Sequence, residues 1–254
     1  MPGHPALGGW LLRSPTDTDR LRLFCLPYAG GSAGAYLPWA AMAGQTLTVC
    51  PLEPPGRGTR FHEPLILDPD TMVERMADAV EHHAWDRPYV LFGHSLGGLM
   101  AFELTRALRR RGLPLPAHLF ISATMAPSVR RADVWDDACT DGTLLSRLAA
   151  YQGTPREVLE DTQLMALLLP VIRADFGVLA RYRYWQELPL PVAITVLAGR
   201  NDPHTHAAGL EAWQAQTELP LELQWFEGDH FFLRPLARDV LSAIMTRTGI
   251  RLGK

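Results

Sequence analysis

The stretch "LFGHSLGGLMAF" (residues 91–102) joins an apolar, β-rich run to an amphipathic one, with glycines on both sides of a single serine. A helix cap would need the serine but not the glycines. Gly93-His94-Ser95-Leu96-Gly97 is a G-x-S-x-G pattern, placed after a strand-like segment (87–93) and before a helix-like one (96–111). That context is what a nucleophile elbow requires: a sharp strand-to-helix turn with the serine at its tip. Such a turn stores roughly 1–3 kcal/mol of backbone strain. Glycines two positions either side let neighbouring backbone approach without a Cβ clash.

Outward from the elbow, strand-like runs recur at 20–27, 46–54, 117–123, 192–199 and 221–228. Helix-like patterns fall between them at about 70–83, 96–111, 207–217 and 236–247. Several strands are almost continuously apolar, as strands covered on both faces are. Strand–helix alternation of this kind predicts an α/β fold with a mostly parallel central sheet flanked by helices. One region breaks the alternation. From about 127 to 185 the patterns are helical only, in "GTLLSRLAAY" (142–151), "TPREVLED" (154–161) and 162–185. Thr154 is expected as an N-cap with Pro155 at the first helical position. Pro170 is expected to end or kink the last helix. An all-helical insertion in an α/β chain reads as a lid over the strand C-termini. The whole chain, 1–254, then reads as one domain carrying that lid.

A serine nucleophile needs a base, an orienting acid and two oxyanion donors. On an elbow of this type the chain order is serine, acid, histidine. "VLAGRNDPH" places Asp202 just after one strand, and "WFEGDHFFL" places His230 just after the last. Both positions lie at the carboxyl edge of a parallel sheet, where Ser95 is also expected. His94 is read as structural. Asp229 is set aside because it adjoins His230 and cannot readily face its ring. His204 and His206 are read as surface residues, His82 and His83 as a helix end, and Arg109–Arg111 as a helix C-terminus. The oxyanion donors are expected to be the backbone N–H of Leu96 and, from the glycine-rich loop "LPYAGGSAGAY" (26–36), that of Ala29. Gly30, Gly31 and Gly34 do not form the G-x-G-x-x-G fingerprint of dinucleotide sites.

Composition narrows the rest. Apolar residues make up 47% and charged residues 20%, ordinary for a soluble globular protein. A net charge of -3 gives no electrostatic case for nucleic acid or an anionic membrane. Cys25, Cys50 and Cys139 suit neither a disulfide framework nor a zinc site. The only lysine is Lys254, so P-loop and Schiff-base chemistry are excluded. No run is read as approaching the roughly 20 apolar residues of a membrane span, and no signal peptide is seen. The expectation is a cytoplasmic protein without metal or cofactor.

Several stretches together resemble one family. They are "LFCLPYAGGSAGAY", "PLEPPGRGTRF", "LFGHSLGG", "GTPREVL…LPVIRADF…YRY", "GRNDP" and "GDHFFL", spread over nearly the whole chain. They are similar to the type II thioesterases of polyketide and non-ribosomal peptide synthesis. The resemblance implies an α/β-hydrolase core with a helical lid. It also implies editing: hydrolysis of short or aberrant acyl groups from the phosphopantetheine arm of acyl or peptidyl carrier domains. By match to its motifs, Ser95 is the nucleophile, Asp202 the acid and His230 the base. Tyr28 stands where many relatives carry His or Phe and is given no catalytic role. A start close to the first strand is read as a free-standing enzyme.

Phe176 is the residue picked for the acyl pocket or its mouth. Most apolar lid residues (Trp135, Leu144, Leu145, Leu148, Leu167, Leu168, Tyr182, Tyr184, Trp185) are assigned to lid packing. Arg57, Arg60, Arg130, Arg131, Arg173 and Arg181 are the arginines considered for a carrier-facing rim. A fatty-acyl carrier-protein thioesterase, a small-ester carboxylesterase and a non-catalytic binding module are the competing readings.

Overall fold

A computed structural model describes residues 9–15, 20–44, 47–84, 87–130, 139–151 and 153–249. Trp135, Arg131 and Lys254 lie outside these. Six strands form one sheet: β1 (Arg22–Leu26), β2 (Thr48–Pro51), β3 (Tyr89–His94), β4 (His118–Ser122), β5 (Ala193–Gly199) and β6 (Glu222–Phe226). Their spatial order is β2-β1-β3-β4-β5-β6 and every neighbouring pair is parallel. β1 to β3 are buried throughout, which explains their unbroken apolar runs. β6, at the edge, is buried only at Phe226, and its sequence alternates accordingly.

The helices are α1 (Leu37–Ala43), α2 (Pro69–Ala84), α3 (Leu96–Arg110), α4 (Asp141–Tyr151), α5 (Arg156–Glu160), α6 (Thr162–Arg181), α7 (Ala207–Glu211) and α8 (Ala237–Arg247). The sheet separates two apolar clusters. One joins α2, α3 and the inner faces of α4 and α6 through Phe102, Leu104, Leu144 and Phe176. The other joins α1 and α8 through Trp39, Phe92, Leu241 and Ile244. Because β1 lies beside β3, the loop after β1 is brought next to the elbow after β3.

Two details of the helical region bear on the sequence expectations: Thr154 does not cap α5, and Pro170 does not end α6. α5 begins at Arg156, with extended Pro155 in the cap position and no side-chain cap, so Thr154 is not the N-cap. Pro155, with ψ 146°, lies outside the helical region and so is the last non-helical residue. α6 runs on through Pro170 for 20 residues, capped by Asp161, whose carboxylate accepts from the Gln163 and Leu164 amides. Buried packing of residues 171–180 offsets the lost hydrogen bond. Among the described helices α6 is also long and apolar enough to cross a membrane, contrary to the sequence expectation. It carries Arg173 and Asp175, both paired within the fold, and half of its apolar window is buried.

Candidate active site

Ser95 occupies the tip of the turn between β3 and α3, with φ 53° and ψ −117°. Only one other described non-glycine residue, Ala123, has positive φ. The Ser95 side chain makes no capping bond, so the serine is presented rather than used as a helix cap. A Cβ at Gly93 would overlap the Gly97 carbonyl, and one at Gly97 would overlap the Leu26 carbonyl. Both glycines are therefore required by close backbone approach. The elbow is locked from beneath: the Ser95 amide donates to the Ser122 carbonyl (2.8 Å), and the Thr124 hydroxyl donates to the Ser95 carbonyl (2.6 Å).

Asp202 follows β5 and His230 follows β6, and the sheet edge brings them together. The His230 Nδ1–H donates to Asp202 Oδ2 at 2.8 Å, with both side chains buried. Asp202 Oδ1 accepts the His204 amide at 2.8 Å, which fixes the carboxylate plane. Burial pushes the Asp202 carboxyl up. The hydrogen bond and charge of His230, then the His204 amide, outweigh it and hold the group below the usual carboxylate range. His230 Nε2 is buried and bonds to no described residue. His230 lines the same two cavities that Ser95 lines. Asp229 is occupied elsewhere, accepting the Phe231 amide at 2.7 Å.

Among the described residues, neither the Leu96 amide, in the first turn of α3, nor the Ala29 amide donates to a protein acceptor. Ala29 lines one cavity with Ser95, and Leu96 lines a second cavity with Ser95. The structure thus brings Ser95, Leu96, Ala29, His230 and Asp202 to one edge of the sheet.

The first cavity, about 160 Å³, is mostly apolar. Leu148, Met165, Leu168, Ile172, Phe176 and Leu179 close it from the helical region. The second, about 370 Å³, carries Thr124, Arg130, His204 and His206. Tyr151 and Leu179 border both.

Some assignments change. His204 is not a plain surface residue: its ring stacks on Tyr151 (3.8 Å, 18°) and meets His230 edge-on at 5.4 Å. His206 is exposed and caps α7 by accepting the Gly209 amide. Arg57 is no rim residue: it is buried and bidentate to Asp175 at 2.6 and 2.8 Å. Burial would lower the Arg57 guanidinium, but Asp175 and Glu53 hold it above its usual range. Arg60 pairs with Glu63 and lies over Trp10, and Arg173 pairs with Asp141. Leu148 and Leu168 belong to the cavity wall as well as to lid packing. His94 is structural, as expected: buried, it shares a 2.9 Å hydrogen bond with Ser122 and packs against the His230 ring at 5.2 Å. Tyr151 was missed, and its sequence position gives no signal. The hydrogen bond from the His204 amide to Asp202 did have one, because an aspartate two residues before an amide has the spacing of an Asx turn.

The family is settled by comparison. Residues 21–248 match the thioesterase domain model. The chain is 37% identical to the gramicidin S biosynthesis protein GrsT of Aneurinibacillus migulanus, over 88% of each chain. It is 36% identical to a Brevibacillus parabrevis protein named linear gramicidin dehydrogenase LgrE, over 95% of this chain and 93% of that one. It superposes on the type II thioesterase BorB from the borrelidin biosynthetic cluster with a TM-score of 0.85 and 32% identity, covering 96% and 98% of the two chains. The chain has the α/β-hydrolase fold and belongs to the thioesterase domain family. It is a hydrolase of thioesters.

Proposed function

We propose that this protein is a type II, editing thioesterase that removes short or aberrant acyl groups from the phosphopantetheine arm of carrier domains in polyketide or non-ribosomal peptide synthesis. In this reading Ser95 Oγ attacks the thioester carbonyl while His230 Nε2 takes its proton and Asp202 holds the imidazole. The Leu96 and Ala29 amides receive the developing oxyanion. The protonated His230 returns its proton to the departing thiol. A thiol, with a pKa of about 8.5, leaves more readily than an alkoxide, so the demand on His230 as an acid is modest. Water, deprotonated by His230, then cleaves the acyl-serine. Serine, histidine and water suffice, and no cofactor enters the scheme. We place the enzyme in the cytoplasm, in keeping with the buried thiols of Cys25 and Cys50.

The observation that carries the acyl assignment is the apolar cavity beside Ser95. At about 160 Å³ it is close in size to the apolar cavity of about 150 Å³ that takes up one benzene molecule. That space suits a short acyl group. The gramicidin S and borrelidin relatives support carrier-bound substrates through their biosynthetic setting. The dehydrogenase name of one relative finds no support in the Gly30–Gly34 loop, whose spacing is wrong for a dinucleotide and which lies instead at the serine. The helical region from about 127 to 185 serves as the lid of this single domain.

The test is hydrolysis of one carrier protein loaded with acetyl, propionyl, butyryl or palmitoyl groups, with Ser95→Ala as control. Fast release of the three short groups, slow release of palmitoyl and none by the folded Ser95→Ala variant are expected. A palmitoyl preference, or turnover by Ser95→Ala, would overturn the reading.

A further inference from the structure

Two motifs take no part in the chemistry above: the arginine of "PPGRGTR" and the aspartate of "RADF". They are 118 residues apart, yet they form one buried unit against the oxyanion loop. Asp175 Oδ2 accepts the Gly30 amide at 2.7 Å and Arg57 Nη1 at 2.6 Å, and Asp175 Oδ1 accepts Arg57 Nη2 at 2.8 Å. Arg57 Nη1 also donates to the Gly31 carbonyl at 3.2 Å. Nearby, Glu53 Oε1 accepts the Ala33 amide at 3.0 Å.

The consequence lies in one peptide plane. The Ala29 N–H and the Tyr28 carbonyl belong to the same rigid peptide unit. The Tyr28 carbonyl accepts the Gly31 amide at 2.8 Å, closing a tight turn over residues 28–31. The direction of the Ala29 N–H therefore depends on where Gly30 and Gly31 are held. Gly30, at φ 72°, is held by Asp175, and a Cβ there would come within 2.7 Å of the Ile172 side chain on α6. Gly31 is held by Arg57.

We propose that Arg57 and Asp175 are positioning residues for catalysis: together they aim the Ala29 amide into the oxyanion hole, so that the hole is complete only while α6 is docked. The proposal rests on the active-site reading given above. It makes the helical region part of the catalytic geometry as well as its cover.

The experiment compares wild type with Asp175→Asn and with the double variant Arg57→Met/Asp175→Leu. Breaking a buried pair by removing one partner is strongly destabilising, whereas replacing both partners by apolar side chains is often neutral. The double variant therefore keeps the comparison possible if Asp175→Asn does not fold. Melting temperature, kcat and KM would be measured on butyryl-S-N-acetylcysteamine. Binding of a butyl trifluoromethyl ketone, whose adduct with Ser95 places an oxyanion in the hole, would be compared with binding of the unreactive thioether.

For a folded double variant, kcat is expected to fall about 10- to 100-fold, somewhat less than the loss of a whole oxyanion donor. KM and thioether binding should stay within about threefold, and ketone affinity should fall by the same factor as kcat. A folded double variant with wild-type kcat, or one that loses kcat while binding the ketone as wild type does, would overturn the proposal and leave the pair a stabilising contact. Ketone binding requires no turnover. A wild-type protein that forms the adduct but hydrolyses no thioester would count against the thioesterase reading alone, and the adduct comparison would still decide the pair.

Discussion

Asp202 orients His230 through one hydrogen bond, and that bond selects which imidazole nitrogen is free to act. With Nδ1–H committed to the carboxylate, Nε2 is the nitrogen left free for the proton transfer proposed above. An asparagine at 202 could present its amide N–H to Nδ1 and so favour the wrong tautomer. Asp202→Asn is expected to lower kcat by about 10³- to 10⁴-fold with little change in melting temperature, as read by steady-state kinetics and thermal unfolding. Activity within tenfold of wild type would transfer the role to another carboxylate. The three catalytic candidates were legible because each carries a local signature: the glycines around Ser95, and the short post-strand motifs around Asp202 and His230. His204 was misread because its partner, Tyr151, is 53 residues away on another element and leaves no mark on the motif.

At the scale of elements, the helical region is uneven. α4 buries only Leu144 and Leu148, and α5 buries no residue. α6 buries ten, nine of them between 171 and 180, and is tied to the glycine-rich loop after β1 through Asp175. Local opening draws on segments with few buried apolar contacts. Amide hydrogen exchange is therefore expected to be fast in α4 and α5, and in residues 171–180 slow enough to approach β3 and β4. Exchange in 171–180 as fast as in α5 would show that the whole helical region opens together and that the ion pair does not restrain it. The helical periodicity was readable from spacing alone. The course of α6 through Pro170 was not, because burial of the following turns decides it.

The whole molecule should respond to acid in a defined way. His94 lies wholly buried beneath the catalytic edge, and burial first, then the charges of His230 and Arg234, push it well below 6.5. It is thus neutral in the fold and gains a proton more readily in the unfolded chain. Its contribution is complete above the unfolded value near 6.5 and is lost progressively as pH falls below it. Asp202, also depressed, adds a second loss only below its ordinary value of 3.8. Denaturant unfolding is expected to show stability falling by up to about 1.4 kcal/mol per pH unit just below pH 6, before the carboxylates titrate. His94→Gln should flatten that part of the curve while lowering stability at pH 8, since a polar group beside Ser122 is then less well packed. An unchanged slope in the variant would assign the proton uptake to another group.

The sequence by itself determined the α/β order of elements, the elbow at Ser95, and the carboxyl-edge positions of Asp202 and His230. These depend on local backbone requirements and on a periodicity that the chain carries residue by residue. The tertiary structure alone decided that Arg57 is buried on Asp175, that Tyr151 stacks on His204, and which apolar residues of α4 and α6 face the cavity. Those facts depend on which distant segments the parallel crossovers bring to one edge of the sheet. An arginine that reads as solvated within its own loop becomes a buried partner only when the helix carrying its carboxylate has docked.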